Sequence, residues 1–347
     1  MIYFTSDYCE GCHERILNRL ISTNMEQTSG YGTDEHCLHA ARLIRRECRD
    51  ETVDVHFLVG GTQANLTVID AALRPHHGVV AAHSAHIQTH ETGAVEATGH
   101  KILALPSGDG KITAAQVEAL CQAHRMDENK EHTSKPGLVY ISNPTELGTI
   151  YTKAELTALS ETCRANGLYL FLDGARLGYG LVTPGNDLTM ADLAKLCDVF
   201  YIGGTKVGAL FGEAVVFTNP MLKEDFRYMI KQHGGMLAKG RLLGIQFETL
   251  FEDGLYYETA KHALSLAEQM RGCFREAGFE FFVDSPTNQL FPILPDALLS
   301  KLAEKYAYTY QCRVDESRSA VRFCTSWATD KAAVDSFCHD LKELAKI

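Results

Sequence analysis

The chain has 347 residues, 45% of them hydrophobic, with a formal charge of -11 and a pI near 5.7. That is more chain than one apolar core usually serves, so a large and a small domain are expected. The acidic balance excludes a phosphate-backbone or anionic-membrane partner, since both need clustered Lys and Arg to displace counterions, and leaves small molecules as the expected ligands.

The N-terminal "MIYFTSDY" has neither a basic n-region nor an apolar h-region. No apolar run approaches the roughly 18 residues of a membrane span, so a cytoplasmic protein without a membrane partner is expected. Residues 1–53 read as helical and irregular, packing across the large domain or onto a second subunit. Within them "CEGCH", Cys9 to His13, matches the haem-attachment pattern, but attachment requires export and a lone CxxC lacks a zinc site's second ligand pair. The match is read as chance. Eleven cysteines scattered through helical and strand patterns suit reduced, buried thiols better than a disulfide framework.

From about residue 54 to 217, short apolar runs alternate with helical periodicity. "DVHFLVGG", "GVVAAH", "KILALP", "GLVYIS", "LYLFLDG", "DVFYIGG" and "EAVVFTN" read as strands. "TQANLTVIDAAL", "TAAQVEALCQAH" and "KAELTALSETCRANG" read as helices, the last closed by Gly167. This alternation predicts an α/β large domain with a mostly parallel sheet covered on both faces. After 217 the pattern becomes long helices to about 278, then short strands and helices. Those last pieces predict a small C-terminal α+β domain, giving boundaries of 1–255 and 256–347.

Five stretches carry polar groups where chemistry could sit. In "VGGTQANL" a strand runs into a helix through glycines, so the backbone N–H groups of Gly61, Thr62 and Gln63 could cradle a phosphate; an ordinary turn with Thr62 as N-cap is the plainer reading. In "LYLFLDGARLG", Asp173 ends an apolar strand and Arg176 follows. The pair could meet a cationic ring nitrogen and an anion, or simply each other. In "FYIGGTKVGALF", Lys206 sits among glycines past a buried strand, where desolvation would favour a neutral, nucleophilic amine; a turn lysine that snorkels outward is the commoner arrangement at such a position. In "AAHSAHIQTHETGA", His83, His86 and His90 would share one helical face as a metal site or polar rim, or one imidazole would stack on an aromatic cofactor. No ligand motif elsewhere supports a metal. "CEGCH" is the fifth, set aside above.

Taken in order, "TSDY", "GYGTDEHC", "GGTQANL", "HIQTHETGA", "SNPTELG", "DGAR", "GGTKVG" and "VRFCTSWATD" resemble the low-specificity L-threonine aldolase group of β-eliminating lyases, among the fold-type I pyridoxal-phosphate enzymes. The resemblance covers nearly the whole chain. It implies an aspartate aminotransferase-like fold and pyridoxal 5'-phosphate held covalently by Lys206. Asp173 would pair with the pyridine nitrogen, His86 would stack on the ring, and Gly61, Thr62 and Gln63 would hold the phosphate. Ser6, Arg176 and Arg322 would hold the substrate carboxylate, fixing the Cα–Cβ bond perpendicular to the ring. The implied reaction is retro-aldol cleavage of threonine or another β-hydroxy-α-amino acid to glycine and an aldehyde. Many relatives carry a histidine in the segment that reads "SNPTELG" here; Thr145 and Glu146 stand instead, and His83, Glu146 or a water would take the β-hydroxyl proton.

The same lysine and aspartate would serve an aminotransferase or a β-eliminating lyase acting on another amino acid. A non-enzymatic metal-binding protein built on the histidines is the reading from a different class. The resemblance also implies a homodimer or homotetramer sharing active sites, through the segments around Tyr31 and from Lys231 to Gly240.

Overall fold

The computed structural model describes residues 1–345. A short first strand, β1 (Ile2–Tyr3), leads into helices Glu14–Ser22 and Glu35–Cys48. Seven strands then build one sheet: β2 (Asp54–Leu58), β3 (His77–Ala82), β4 (Lys101–Leu105), β5 (Lys135–Ser142), β6 (Tyr169–Asp173), β7 (Val199–Gly203) and β8 (Glu213–Phe217). Their order across the sheet is β2-β8-β7-β6-β5-β3-β4. Five of them, β4, β3, β5, β6 and β7, run parallel to one another, while β8 is antiparallel to both β7 and β2. All seven strands fall on the apolar runs named above. The strands β5, β7 and β8 are buried almost end to end, as expected where helices cover both faces.

The helices confirm the turn chemistry in most places. Thr113, Thr152 and Thr189 each close a reciprocal capping box with the residue three positions on, satisfying N–H groups the helix cannot reach itself. Gly167 ends the helix Lys153–Asn166 in the left-handed region, as the sequence predicts. Thr62 departs from its expected role: the helix starts at Gly61, with Gly60 as an uncapped N-cap, so Thr62 sits inside the first turn.

The core falls into two apolar clusters. The larger surrounds the seven-stranded sheet and extends to Ala260 and Ala263; the smaller begins at Leu266 on the same helix, Leu255–Glu276. That helix therefore spans both clusters. The smaller cluster lies under an antiparallel sheet of β9 (Phe281–Val283), β10 (Gln289–Pro295), β12 (Thr309–Arg313) and β13 (Arg318–Cys324), ordered β12-β13-β10-β9, with helices Asp296–Leu302 and Lys331–Leu344. The chain's first residues join it: β1 pairs in parallel with β11 (Tyr306–Ala307), and Phe4 stacks on Tyr306 and packs edge-on to Phe337.

Two features differ from the sequence expectation or explain it. Helix Glu35–Cys48 lies so close to helix Arg241–Glu252 that a Cβ on Gly244 would fall 2.5 Å from the Cys37 nitrogen, so only glycine permits the crossing. Cys273 and Cys338 form a disulfide joining the helices Leu255–Glu276 and Lys331–Leu344, which corrects the expectation that all the thiols are reduced. The Cβ positions of two facing helices happen to meet there, a coincidence of packing that spacing along the chain does not reveal. Nine other cysteines are free, most of them buried.

Candidate active site

The carboxyl ends of β5, β6 and β7 converge on one cavity, where open α/β sheets place their ligands. Ser142 and Asp173 are paired in register at the ends of β5 and β6. The loops after β6 and β7 run in contact, with the Gly203 N–H donating to the Gly174 carbonyl at 2.9 Å. A Cβ on Gly174 would lie 1.9 Å from the Tyr201 carbonyl oxygen, and one on Gly203 would lie 2.3 Å from that of Ala175. These two glycines thus bring Asp173 and Lys206 to the same cavity wall.

Asp173 is almost fully buried. Its Oδ1 accepts the Ala175 N–H at 2.9 Å, and its Oδ2 accepts from Asn65 at 3.3 Å and from the Tyr140 hydroxyl in a short contact. These donors on both oxygens fix the carboxylate's direction.

Lys206 lies in a tight turn held by Gly204 and Ala209 backbone bonds, with the Tyr179 hydroxyl donating to its carbonyl at 2.5 Å. Burial pushes its amine pKa down, and the Arg176 charge adds to this, while Asp7, Glu213 and Asp173 act the other way; the net result is below the ordinary value. That supports the nucleophilic reading over the outward-pointing one. Glu213, buried at the start of β8, accepts from the Thr205 hydroxyl at 3.0 Å, and burial pushes its carboxyl up to about 8.

The glycine turn faces this cavity: Gly61 and Thr62 line it with Lys206 and Asp173. Ala64 is the first helix residue whose N–H reaches an earlier carbonyl, that of Gly60 at 3.0 Å, which leaves the preceding first-turn N–H groups for an anion. The side chain of Gln63 is engaged elsewhere, accepting from the Val59 N–H and donating to the His233 carbonyl, so its backbone alone is available to the pocket.

The histidine segment is less regular than its spacing implies. The helix covers only His86–Thr89; His83 precedes it in a turn and His90 caps its end, so no single helical face carries the three. All three nonetheless line an outer cleft of about 600 Å³ that shares His86, Glu146, Arg176 and Lys206 with the inner cavity. His86 donates or accepts at Glu91 Oε1 through Nδ1 at 2.7 Å, and that same oxygen accepts from Asn65 at 2.7 Å. Asn65 therefore ties the histidine's carboxylate to Asp173, a role not read from "GTQANL". The signal was present, since Asn65 lies four residues after Gly61, on the same face of the helix.

The three residues expected to hold a carboxylate are disposed differently from one another. Arg176 lines both cavities, yet its Nε and Nη2 donate to the two oxygens of Asp7 at 2.7 and 2.9 Å. Asp7 is fully buried and also accepts from Asn288 at 2.9 Å. Burial opposes its charge, but Arg176 and Lys206 outweigh it and hold its pKa below the usual carboxylate value. Arg322 lines the outer cleft, donating to the Thr5 carbonyl at 2.9 Å; its Nε and the Nε2 of neighbouring Gln289 are buried without protein partners. Two idle donors in a cleft wall fit an incoming carboxylate. Ser6 is not among the lining residues, and its hydroxyl lies 3.2 Å from the Cys9 sulfur.

Architecture and site together define a fold-type I α/β enzyme. An aspartate aminotransferase from Thermus thermophilus has the same architecture, with a TM-score of 0.72 over 99% of this chain and 91% of that one, at 14% identity. More specifically, the chain belongs to the beta-eliminating lyase family, whose model matches residues 4–294. A threonine aldolase from Leishmania major is 45% identical, with a TM-score of 0.97 over 99% of this chain and 100% of that chain. A low specificity L-threonine aldolase from a Pseudomonas species is 31% identical over 98% of this chain and 96% of its own length.

Proposed function

We propose that this chain is a pyridoxal 5'-phosphate-dependent aldehyde lyase that cleaves L-threonine and related β-hydroxy-α-amino acids to glycine and an aldehyde. The observation that carries this is the buried Lys206 amine, depressed in pKa, sharing one cavity with a donor-clamped Asp173 and an open helix N-terminus. The residues suit the cofactor's three chemical handles. Lys206 would hold the aldehyde carbon, Asp173 the protonated pyridine nitrogen, and the first-turn N–H groups of Gly61, Thr62 and Gln63 the phosphate. His86 would cover one ring face. Bound there, the cofactor supplies an electron sink for the pair released when the Cα–Cβ bond breaks.

The chain's own groups do the orienting. Arg322 and Arg176 would grip the substrate carboxylate, with Ser6 between their partners Thr5 and Asp7 in the chain, and so set which bond at Cα stands perpendicular to the ring. The test is direct: purified protein should absorb in the visible, bleach with borohydride and gain the reduced cofactor's mass on Lys206. Threonine should then yield acetaldehyde and glycine. Release of a keto acid or ammonia instead would move the protein to the aminotransferase or eliminating class, and colourless protein would remove it from both.

We further infer a homodimer or homotetramer. Tyr31 holds a left-handed backbone (φ 61) with Arg227 donating to its carbonyl at 3.0 Å, Lys231 lies 5.0 Å over its ring, and Tyr228 beside it is 76% exposed. A face so ordered and yet so apolar suits a second copy, and sedimentation of active protein as a monomer would refute it. Free cysteines, including exposed Cys9, suit the cytoplasm. A boundary at 255/256, where the two-cluster helix begins, divides the chain into its two domains.

A further inference from the structure

We propose that Glu146 is the catalytic base that removes the β-hydroxyl proton of the substrate as the Cα–Cβ bond breaks. This rests on the lyase reading above and deepens it. Glu146 lies in the loop after β5, and it is the one carboxylate among the described residues lining the outer cleft, where it stands with Lys206, Arg176 and Arg322. Its Oε1 is fixed from two sides: the Ser142 hydroxyl donates at 2.7 Å and the His86 backbone N–H at 2.9 Å. Among the described residues no side chain is seen donating to Oε2, which leaves that oxygen for a ligand.

The neighbouring histidines are worse placed to accept a proton. His83 Nδ1 accepts the Ser107 N–H at 3.1 Å, so its neutral ring carries hydrogen on Nε2 and can only donate to the cleft. His86 is held by Glu91 through Nδ1 in the orientation that would lay its ring on the cofactor's face rather than at the β-hydroxyl, and His90 stacks on His86 with 5.5 Å between ring centroids. The groups facing Glu146 are Asp173 from β6, Tyr140 from β5, Tyr151, His86, Arg176 and Lys206. Burial raises the Glu146 pKa, the Asp173 charge raises it further, and the Ser142 and His86 hydrogen bonds partly offset them. The net rise makes it a stronger base than an exposed carboxylate.

The step balances. The O–H bond breaks toward Glu146, the oxygen's electrons form the aldehyde C=O, and the Cα–Cβ pair stays with Cα in the cofactor's electron sink. Glu146 returns its proton to water and Cα takes one from water, so the amino acid becomes glycine plus aldehyde.

The test uses Glu146→Gln and Ser142→Ala in the holoenzyme. In E146Q, kcat for threonine cleavage should fall about 10²- to 10⁴-fold with KM little changed, as for loss of a general base. Exchange of the glycine α-proton into deuterium oxide, which involves no β-hydroxyl, should persist. The infrared carbonyl band of a protonated carboxyl that titrates in the wild type should vanish in E146Q. Because the Ser142 bond lowers the Glu146 pKa, the ascending limb of kcat in S142A should move to higher pH. Cleavage that survives E146Q overturns the proposal, as does equal loss of cleavage and exchange, or a persisting band. Wild-type protein that neither binds the cofactor nor exchanges glycine sinks the lyase reading itself.

Discussion

Replacing Asp7 with Asn should destabilise the folded enzyme and loosen its grip on the substrate carboxylate. The native carboxylate is fully buried and accepts three hydrogen bonds, two from Arg176 and one from Asn288. An amide of the same shape keeps one oxygen and turns an NH₂ group toward a ring of donors, so at least one of these bonds is lost and replaced by a donor–donor contact. It also strands the guanidinium without its counter-charge. Breaking one side of a buried pair typically costs about 3–5 kcal/mol, a large share of a stability of roughly 5–15 kcal/mol. Asn288→Ala is the comparison: it removes one bond to the charged group, worth about 1.5–3 kcal/mol, together with the bond the same amide donates to the Thr325 carbonyl, worth about 1 kcal/mol. Urea unfolding of the two variants beside the wild type measures both. Kinetics supply the second arm, because an Arg176 no longer clamped by Asp7 should raise KM for threonine. A D7N protein that unfolds within about 1 kcal/mol of wild type, below the buried-pair range, would refute the claim that Asp7 is the main counter-charge of Arg176.

Other consequences follow from the same geometry. Asp173→Asn should cut kcat by about 10²-fold or more while Lys206 still takes up the cofactor, read by turnover and by borohydride labelling. Gly203→Ala should fail to build the site, because its Cβ would fall 2.3 Å from the Ala175 carbonyl; normal cofactor uptake by soluble G203A would contradict this. His36 is bonded to Glu248 at 2.8 Å and Glu26 at 2.9 Å; burial lowers its pKa, but the two carboxylates outweigh it and raise it above 6.5. A raised folded-state value means its stabilisation is full below about pH 6.5 and lost as pH rises through the higher folded pKa. The melting temperature should therefore decline across that window, and His36→Gln should flatten the decline.

Much of this was legible in the chain because the relevant signals are local. All seven strands of the large sheet are apolar runs between helical stretches, and the antiparallel β8 follows β7 after a short glycine-containing turn. Lys206, Asp173, Gly61 and Thr62 lie at strand ends or helix starts, which sequence periodicity places well. The disulfide was not legible, because it depends on two helices meeting side by side after folding.

The electrostatics of the site belong to the illegible class, for a physical reason. Arg176 looks free in "DGAR", but its partner Asp7 comes from the N-terminal segment and Asn288, which steadies Asp7, from the small sheet. Asn65 joins Asp173 to Glu91 across two further elements. Each contact is decided by tertiary placement, and in a low-dielectric cavity such contacts determine which groups stay charged. Asp7 also helps keep Lys206 from losing its charge more fully, since its own charge raises the amine pKa against burial and Arg176. The lysine's nucleophilicity is thus set by the N-terminal segment as well as by its own strand. In D7N, the Lys206 amine should accordingly become neutral at lower pH than in the wild type. The pH dependence of cofactor uptake by cofactor-depleted protein reads this directly, and an unshifted profile would show that Asp7 does not reach the lysine.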